Sequence, residues 1–424
     1  MSQFASAVYP VPDRFIDLGK ESPPGTIAAA TYTFPMTTFK PEDKVTFLED
    51  TAWRNAMAEL YNVIEGVQIA EVSLGGPFFV DGMGYALANI MGDYYQGVNA
   101  GTSSATTQMS VTSAIGAGSI VVTTATGISN NTVISIGGTA STACEVRKVT
   151  NVTGTTPGTL TLNAALYQAH SSAAASGTVV AWGGGYNSIN HNFSLQNIGL
   201  GAGGYTQSQP PTYTYYDYTG VPATSGARQY AFACYSEVTI SSDATKLIEW
   251  DGKITALASQ IANSTPTVAL STVIPQAAWR STVNISGAGT LNTGMWKLSL
   301  MRKLAPKFTN SGQQDPFTIA RGYFTAGLSF DFDPASDELE YLQMRNNTQP
   351  TVVLTATNGL TGSASASLTV TANQAAMVTS VIEDSKDVFG FNNTAKLVAN
   401  TTNVGPSGGF SPCLITLANA VINY

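Results

Sequence analysis

Two histidines, three cysteines and a few neighbouring carboxylates are where any chemistry in this chain would have to start. His170 and His191 could move protons near neutral pH or ligate a metal, but a His-based triad or metal site needs both brought together across the residues between them. They sit in unlike surroundings, and a surface or capping role is the simpler reading. Cys144, Cys234 and Cys413 are odd in number, far apart and without CxxC spacing, so neither a disulfide framework nor a zinc site follows; they read as buried small hydrophobes. Asp331 with Asp333 and Glu383 with Asp384 have the proximity a glycosidase or calcium site would use, yet such pairs are common on β-rich surfaces. GLGAGG at Gly199–Gly204 is followed by QSQPPT and not by the helix that a dinucleotide-binding loop requires. No GxSxG, HExxH or Walker pattern occurs. No catalytic, cofactor-binding or metal-ligating residue is therefore assigned, no cofactor is expected, and the chain is not read as an enzyme.

Composition points the same way. A chain of 424 residues has room for two or three domains. Charged residues are 11% of it, against roughly 25% in an ordinary globular domain. With 43% hydrophobic residues, that low charge suggests a surface covered by other copies of the chain, although a glycosylated or cell-wall protein would share it. The net charge of -8 leaves no basic stripe to neutralise phosphates, which disfavours specific nucleic-acid binding. The N-terminal MSQFASAVYPVPDRF lacks the basic and apolar regions of a signal peptide, and no stretch reaches the length of a membrane span. The expectation is a protein made in a cytoplasm and leaving it, if at all, as part of a particle, with no membrane partner.

The elements are mostly strands. Gln209 to Ala256 reads as three of them: Thr212 to Tyr218, almost pure aromatic and Thr, then Glu237 to Ile240, then Lys246 to Thr255. Before it, the first 40 residues read as an extended arm with one strand near Thr31 to Thr38, of a kind that often reaches a neighbouring subunit. Val67 to Ser73 alternates as a strand, and a short helix follows with Asp81 as N-cap, although Gly82 and Gly84 weaken its first turn. From Ala100 to about Gly185, Ser, Thr, Ala and Gly dominate, and runs at Ser119–Thr123, Thr132–Ile136, Glu145–Val149, Thr159–Leu162 and Gly177–Trp182 suggest a small all-β insert between flexible joints, YYQGVNAGTSS and WGGGYNS. His191–Gln196 resumes the interrupted domain, and Ala262–Pro275 reads as a linker. The second half offers strands at Thr282–Ile285, Met295–Arg302 and Gly322–Phe332. A helix capped by Ser336 with Leu339 and Leu342 on one face comes next, then strands at Thr351–Thr357, Ser367–Thr371, Met377–Asp384, Asn393–Asn400 and Leu414–Ile422.

Laid side by side, the halves repeat. Strand Val67–Ser73 and its helix match Gly322–Phe332 and its helix; Gln209-Pro210 and its strand match Gln349-Pro350 and its strand; SEVTISSDATKLIEWDGKITA matches TSVIEDSKDVFGFNNTAKLVA. The expected division is a first domain of residues 1–99 and 187–270, an insert of residues 100–186, and a second domain of residues 271–424.

These stretches also carry a resemblance. QPPTYTYYDYTG with GARQY, YSEVTISSDATKLIEWDGKI, LGGPFFVDGMGYALANIMGD, GQQDPF, YLQMRNNTQPTVVLTAT and GGFSPCLITLANAV look like parts of the tail tube (major tail) proteins of long-tailed, non-contractile bacteriophages. The insert resembles the small β decoration modules of phage structural proteins. The resemblance implies an all-β fold with short helices: two tandem tail-tube β-sandwich or barrel domains plus an inserted small β domain, whose inner strands join those of neighbours in a closed barrel. Three chains would supply six domains to a pseudo-hexameric ring, with a hexamer of chains as the alternative. Other partners implied by the family are a tape measure protein and tail terminator or baseplate proteins. Viral DNA would pass through an acidic or neutral lumen, poor in Lys and Arg, without specific binding, and the location would be the virion tail, assembled in a bacterial host cytoplasm. A reading from another class is a cell-surface or fibre-like adhesin holding carbohydrate on its Thr- and Tyr-rich strands.

Overall fold

A computed structural model describes residues 14–422 and 424, apart from 53, 56, 100–104, 138–143, 173–177, 183–187, 198–208, 220–226, 263–272, 334–338, 361–363 and 384–389. The Ser336 cap, the glycine-rich loop at 199–204, most of the 262–275 linker and both glycine-rich joints proper lie outside the described residues.

The fold is all-β with short helices, as expected. The chain enters on β1 (Phe15–Lys20) and β2 (Tyr32–Phe34), which pair with each other. Residues 15–20 and 32–34 of the arm are thus tied into their own chain. A long hairpin follows, β3 (Thr38–Asp50) with β4 (Asn62–Pro77). Only the stretch of β4 that alternates buried Ala70, Val72 and Leu74 with exposed polar residues was legible as a strand. In β3, TFKPEDKVTFLED, charged side chains and exposure on both faces hide the period; the register shift opposite Val45 and Phe47 adds its extra residue to β4.

Helix α1 (Val80–Met91) is buried on every side, which is why its sequence is apolar all round. Its N-cap is Phe79 and not Asp81, which lies buried in the first turn. Gly84 is required there because a Cβ would come 2.2 Å from the Tyr424 ring. Gly92, at φ 94, ends the helix and starts β5 (Gly92–Asn99). The flank YYQGVN is therefore strand β5 and not a joint.

The insert holds β6 (Ala105–Gln108), β7 (Ser119–Val122), β8 (Val133–Ile136), β9 (Glu145–Thr153), β10 (Gly158–Leu162) and β11 (Val179–Trp182). They form a six-stranded sheet in the order β6-β11-β8-β9-β10-β7. Bonds from Ser110 N to Val121 O and from Thr123 N to Gln108 O join its first strand to its last, closing a small barrel around Ile120, Ile134, Val149, Leu160, Val180 and Trp182. Closure leaves no edge.

The chain then returns through β12 (Ser188–Leu195), β13 (Tyr213–Tyr218), β14 (Arg228–Asp243), β15 (Glu249–Ala256) and the short β16 (Gln260–Ile261). The second half runs β17 (Ser281–Ile285), β18 (Gly289–Leu291), β19 (Met295–Lys307), β20 (Thr318–Phe332), α2 (Leu339–Arg345), β21 (Val352–Thr357), β22 (Ser367–Ala372), β23 (Ala375–Glu383), β24 (Gly390–Leu397) and β25 (Leu414–Asn419). On α2, Leu342 faces solvent while Gln343 is buried and Tyr341 and Met344 pack on the core, so the apolar face is rotated from the one expected. Among the described residues no helix is long and apolar enough to cross a membrane.

Two further sheets share one continuous core. The smaller has the order β18-β17-β21-β22-β25-β12-β5. The larger contains the run β3-β4-β15-β14-β19-β20-β24-β23. Strand β14 bends at Phe232, φ 57, where its first part leaves this run to pair with β13, and β13 pairs in turn with β1.

Candidate assembly edges

Each half contributes one hairpin from before its helix and one from after it. In the first half the order is β3-β4-β15-β14, in the second β19-β20-β24-β23, the same arrangement twice. The bulges fix the correspondence. Val45/Phe47 of β3 matches Arg302/Leu304 of β19, and Tyr235/Glu237 of β14 matches Met377/Thr379 of β23. With these aligned, β3 and β19 coincide end to end, as do β15 and β24. The sequence alignment of the later hairpins is therefore displaced by one residue on the first strand and two on the second, because bulges are invisible to residue matching. The Gln209-Pro210 and Gln349-Pro350 match does not hold: β13 lies beside β14 in the large sheet, whereas β21 lies in the other sheet, where β5 holds the matching place after its helix.

The halves meet where β14 pairs with β19, Thr239 opposite Ser299 and Ile240 opposite Leu298. This seam joins the last-in-order strand of one half to the first of the next. The same two kinds of strand stand at the ends of the run, β23 at one and β3 at the other, and among the described residues neither has a strand partner on its outer side. At the seam Ile240 is 0% exposed; its counterpart on the open edge, Ile382, is 56% exposed. Val378 and Val381 beside it are exposed as well. A long open edge of this kind is a template for another strand.

One face of the run covers the core and the other is open. The open face carries Glu42, Asp50, Glu71, Glu237, Asp243, Glu249, Asp251 and Asp331 against Lys40, Lys44, Lys253, Lys297, Lys303, Lys307 and Lys396, which alternation and cross-strand register place together. It is not poor in lysine; its lysines are slightly outnumbered and partly paired. Lys253 donates to Glu237 at 2.7 Å, Lys44 binds Glu71, and Lys246 near the turn binds Asp243 at 3.0 Å. The hydrogen bond from Lys246 and those from Thr245 hold Asp243 down at about 2.

Beneath the seam, α1 packs under β14 as α2 packs under β23. The end of α1 has no basic residue of its own in its last turn. Its carbonyls are met instead by two arginines of the second half. Arg302 donates to Ile90 O at 2.7 Å, and Arg321 donates to Asn89 O at 3.0 Å and to Pro210 O. A cation at a helix C-terminus is favourable. Burial, and then Arg321, push the Arg302 guanidinium down to about 10.

The residues singled out for chemistry are scattered. His191 is buried between Tyr94, whose hydroxyl is 2.7 Å from Nδ1, and the Tyr424 ring; burial lowers it to about 3, so it is neutral. His170 lies inside the insert with Nε2 3.1 Å from Glu145. Cys144, Cys234 and Cys413 are buried and in no disulfide, and burial raises Cys234 to about 11 and Cys413 to about 12. Asp331 accepts the backbone N–H groups of Gly294 and Met295, fastening a turn; the Glu383 side chain and Asp384 lie outside the described residues. Among the described residues no group of three or more His, Cys, Asp or Glu could hold a metal.

What the sequence did not show is how firmly the insert is docked. Tyr167 lies against Lys20 on one side and Arg147 on the other, and its hydroxyl donates to Tyr424 O at 2.8 Å. Arg147 is fully buried, bound to Glu145, and donates to the Gln96 side chain on β5. Comparison of the chain with known protein families and with curated proteins finds no match.

Proposed function

We propose that the chain is a structural subunit that polymerises by edge-to-edge strand pairing into closed rings, stacked as the tail tube of a long-tailed bacteriophage, a conduit for DNA. The observation that carries this is the internal seam. A chain that joins its own halves by pairing β14 with β19, and leaves the equivalents β23 and β3 open, has the two sides of a heterologous interface that can close a ring. Transferring the seam's register places Val381 of one copy opposite Glu42 of the next, and Ile382 opposite Pro41.

Three copies of the eight-strand run would close about two dozen strands. At about 4.8 Å between strands and a tilt of about 40°, the backbone barrel is roughly 45–50 Å across, wide enough for a duplex inside its side chains. The open face would line it. Its carboxylates and lysines are nearly balanced, with no arginine among the charges named, so no strongly basic surface would face the duplex; this supports passage without adhesion, since each phosphate contact would add salt-sensitive affinity. The tyrosines Tyr213, Tyr215, Tyr216 and Tyr218, on which a carbohydrate-binding reading would rest, are buried.

The test is a Glu42→Cys/Val381→Cys variant under mild oxidation, with negative-stain microscopy of the same sample. Expected are covalent oligomers running to a closed trimer, and rings or tubes. Monodisperse monomers that do not cross-link would overturn the proposal.

A further inference from the structure

The hairpins before each helix extend past the seam, and the two extensions have opposite fates. In the second half, the inward side of the β19–β20 extension, with Arg302, Ile319 and Arg321, is buried over the end of α1 in the first half. The bulge alignment makes Val45, Val63 and Glu65 the counterparts in the β3–β4 extension. Ile319 is 1% exposed, whereas Val63 is 47% exposed. Phe47, counterpart of the half-buried Leu304, is also bare. Among the described residues, Phe47, Val63 and Glu65 on this side of the first hairpin stay exposed.

We propose that the inward side of the β3–β4 extension seats on the C-terminal end of α2 in the adjacent copy, with Glu65 pairing Arg345 of that copy. This rests on the ring reading above. Helix α2 packs under β23 as α1 packs under β14, so a β3 edge paired to β23 carries its extension over α2 as β19 carries its own over α1. The charges are exchanged accordingly. Where α1 has no basic residue in its last turn and receives Arg321 from the hairpin, α2 has Arg345 in its last turn and would meet Glu65, the counterpart of Arg321. Glu65 and Arg345 are both exposed and neither forms an ion pair among the described residues of its own chain. The occupant is thus a second copy of this chain, recognised by apolar Phe47 and Val63 and one complementary charge.

A charge-exchange cycle tests it. Glu65→Arg and Arg345→Glu are made singly and together in the full chain, and the protein concentration at which rings form is followed by sedimentation; the same changes on the Glu42→Cys/Val381→Cys background give the yield of the engineered Glu42→Cys to Val381→Cys disulfide as a second readout. Each single reversal should raise the assembly concentration about tenfold and the double reversal should return it to near the starting value. Phe47→Ser should raise it too while leaving the monomer's melting temperature unchanged. Single reversals without effect, or a double variant no better than the singles, would overturn the contact. If the engineered Glu42→Cys to Val381→Cys disulfide forms normally in that case, the ring reading stands and only this contact is lost; if the disulfide never forms, the ring reading itself has failed.

Discussion

Replacing Arg321 by Met would measure how strongly the two halves are held together. The guanidinium is buried, belongs to the second half, and satisfies carbonyls of Asn89 and Pro210 in the first. A third, longer bond goes to Pro211 O at 3.3 Å, and hydrogen bonds from a charged donor are worth about 1.5–3 kcal/mol each. Against that loss stands the desolvation of an arginine that forms no ion pair among the described residues, a cost of several kcal/mol that Met does not bear. Met fills much of the same volume, so the remaining penalty is the carbonyls left dry, and a net destabilisation of about 2–4 kcal/mol follows. Urea denaturation followed by tryptophan fluorescence would report the shift, and hydrogen exchange would report its place. Protection should fall first at the backbone of α1 and along β14 and β19, because the seam opens there. An unchanged midpoint with unchanged protection of α1 would refute the idea that these arginines clamp the halves.

Three other outcomes are expected. Gly84→Ala should destabilise by about 1–3 kcal/mol, since the new methyl group meets the Tyr424 ring, even though helix propensity alone favours Ala by about 1 kcal/mol; thermal melting gives the sign directly. His191 is lowered from 6.5 to about 3 in the fold, so the unfolded chain binds more protons between those values and stability falls as pH drops through that window. By pH 4 the loss should approach about 3 kcal/mol in urea midpoints, and His191→Gln should flatten it. Tyr167→Phe removes the hydroxyl bonds to Lys20 and Tyr424 and should cost about 1–2 kcal/mol, read as earlier protease cleavage of the insert with the large sheet intact.

Much of the fold could be read from sequence wherever one face of a strand is buried and the other wet. The insert's β7 and β10 have that alternation, and so does Glu249–Ala256, which buries Trp250, Gly252, Ile254 and Ala256 in turn. The unread elements fail for physical reasons. β3 is an edge strand whose far end is bare on both sides, so Phe47 and Leu48 stand side by side with no period between them. β6 is short and polar, ATTQ. The candidate interface was legible only as an order of elements. Which residues correspond depends on bulges at Val45/Phe47 and Met377/Thr379, and a bulge is a backbone event that no residue type announces. The docking of Arg147 and Tyr167 depends on residues far apart in the chain, Lys20, Gln96 and Tyr424, that only the folded topology gathers.

The covalent link across the β14–β19 seam has a consequence for counting. A closed ring of single units can err by one and still close, slightly wider or narrower. A ring of paired units cannot: it gains or loses two at a time, and an error of two in about six alters curvature too much for strand twist to absorb. The polypeptide bond between the halves would then act as a parity check on bore diameter, made during translation and before any two copies meet.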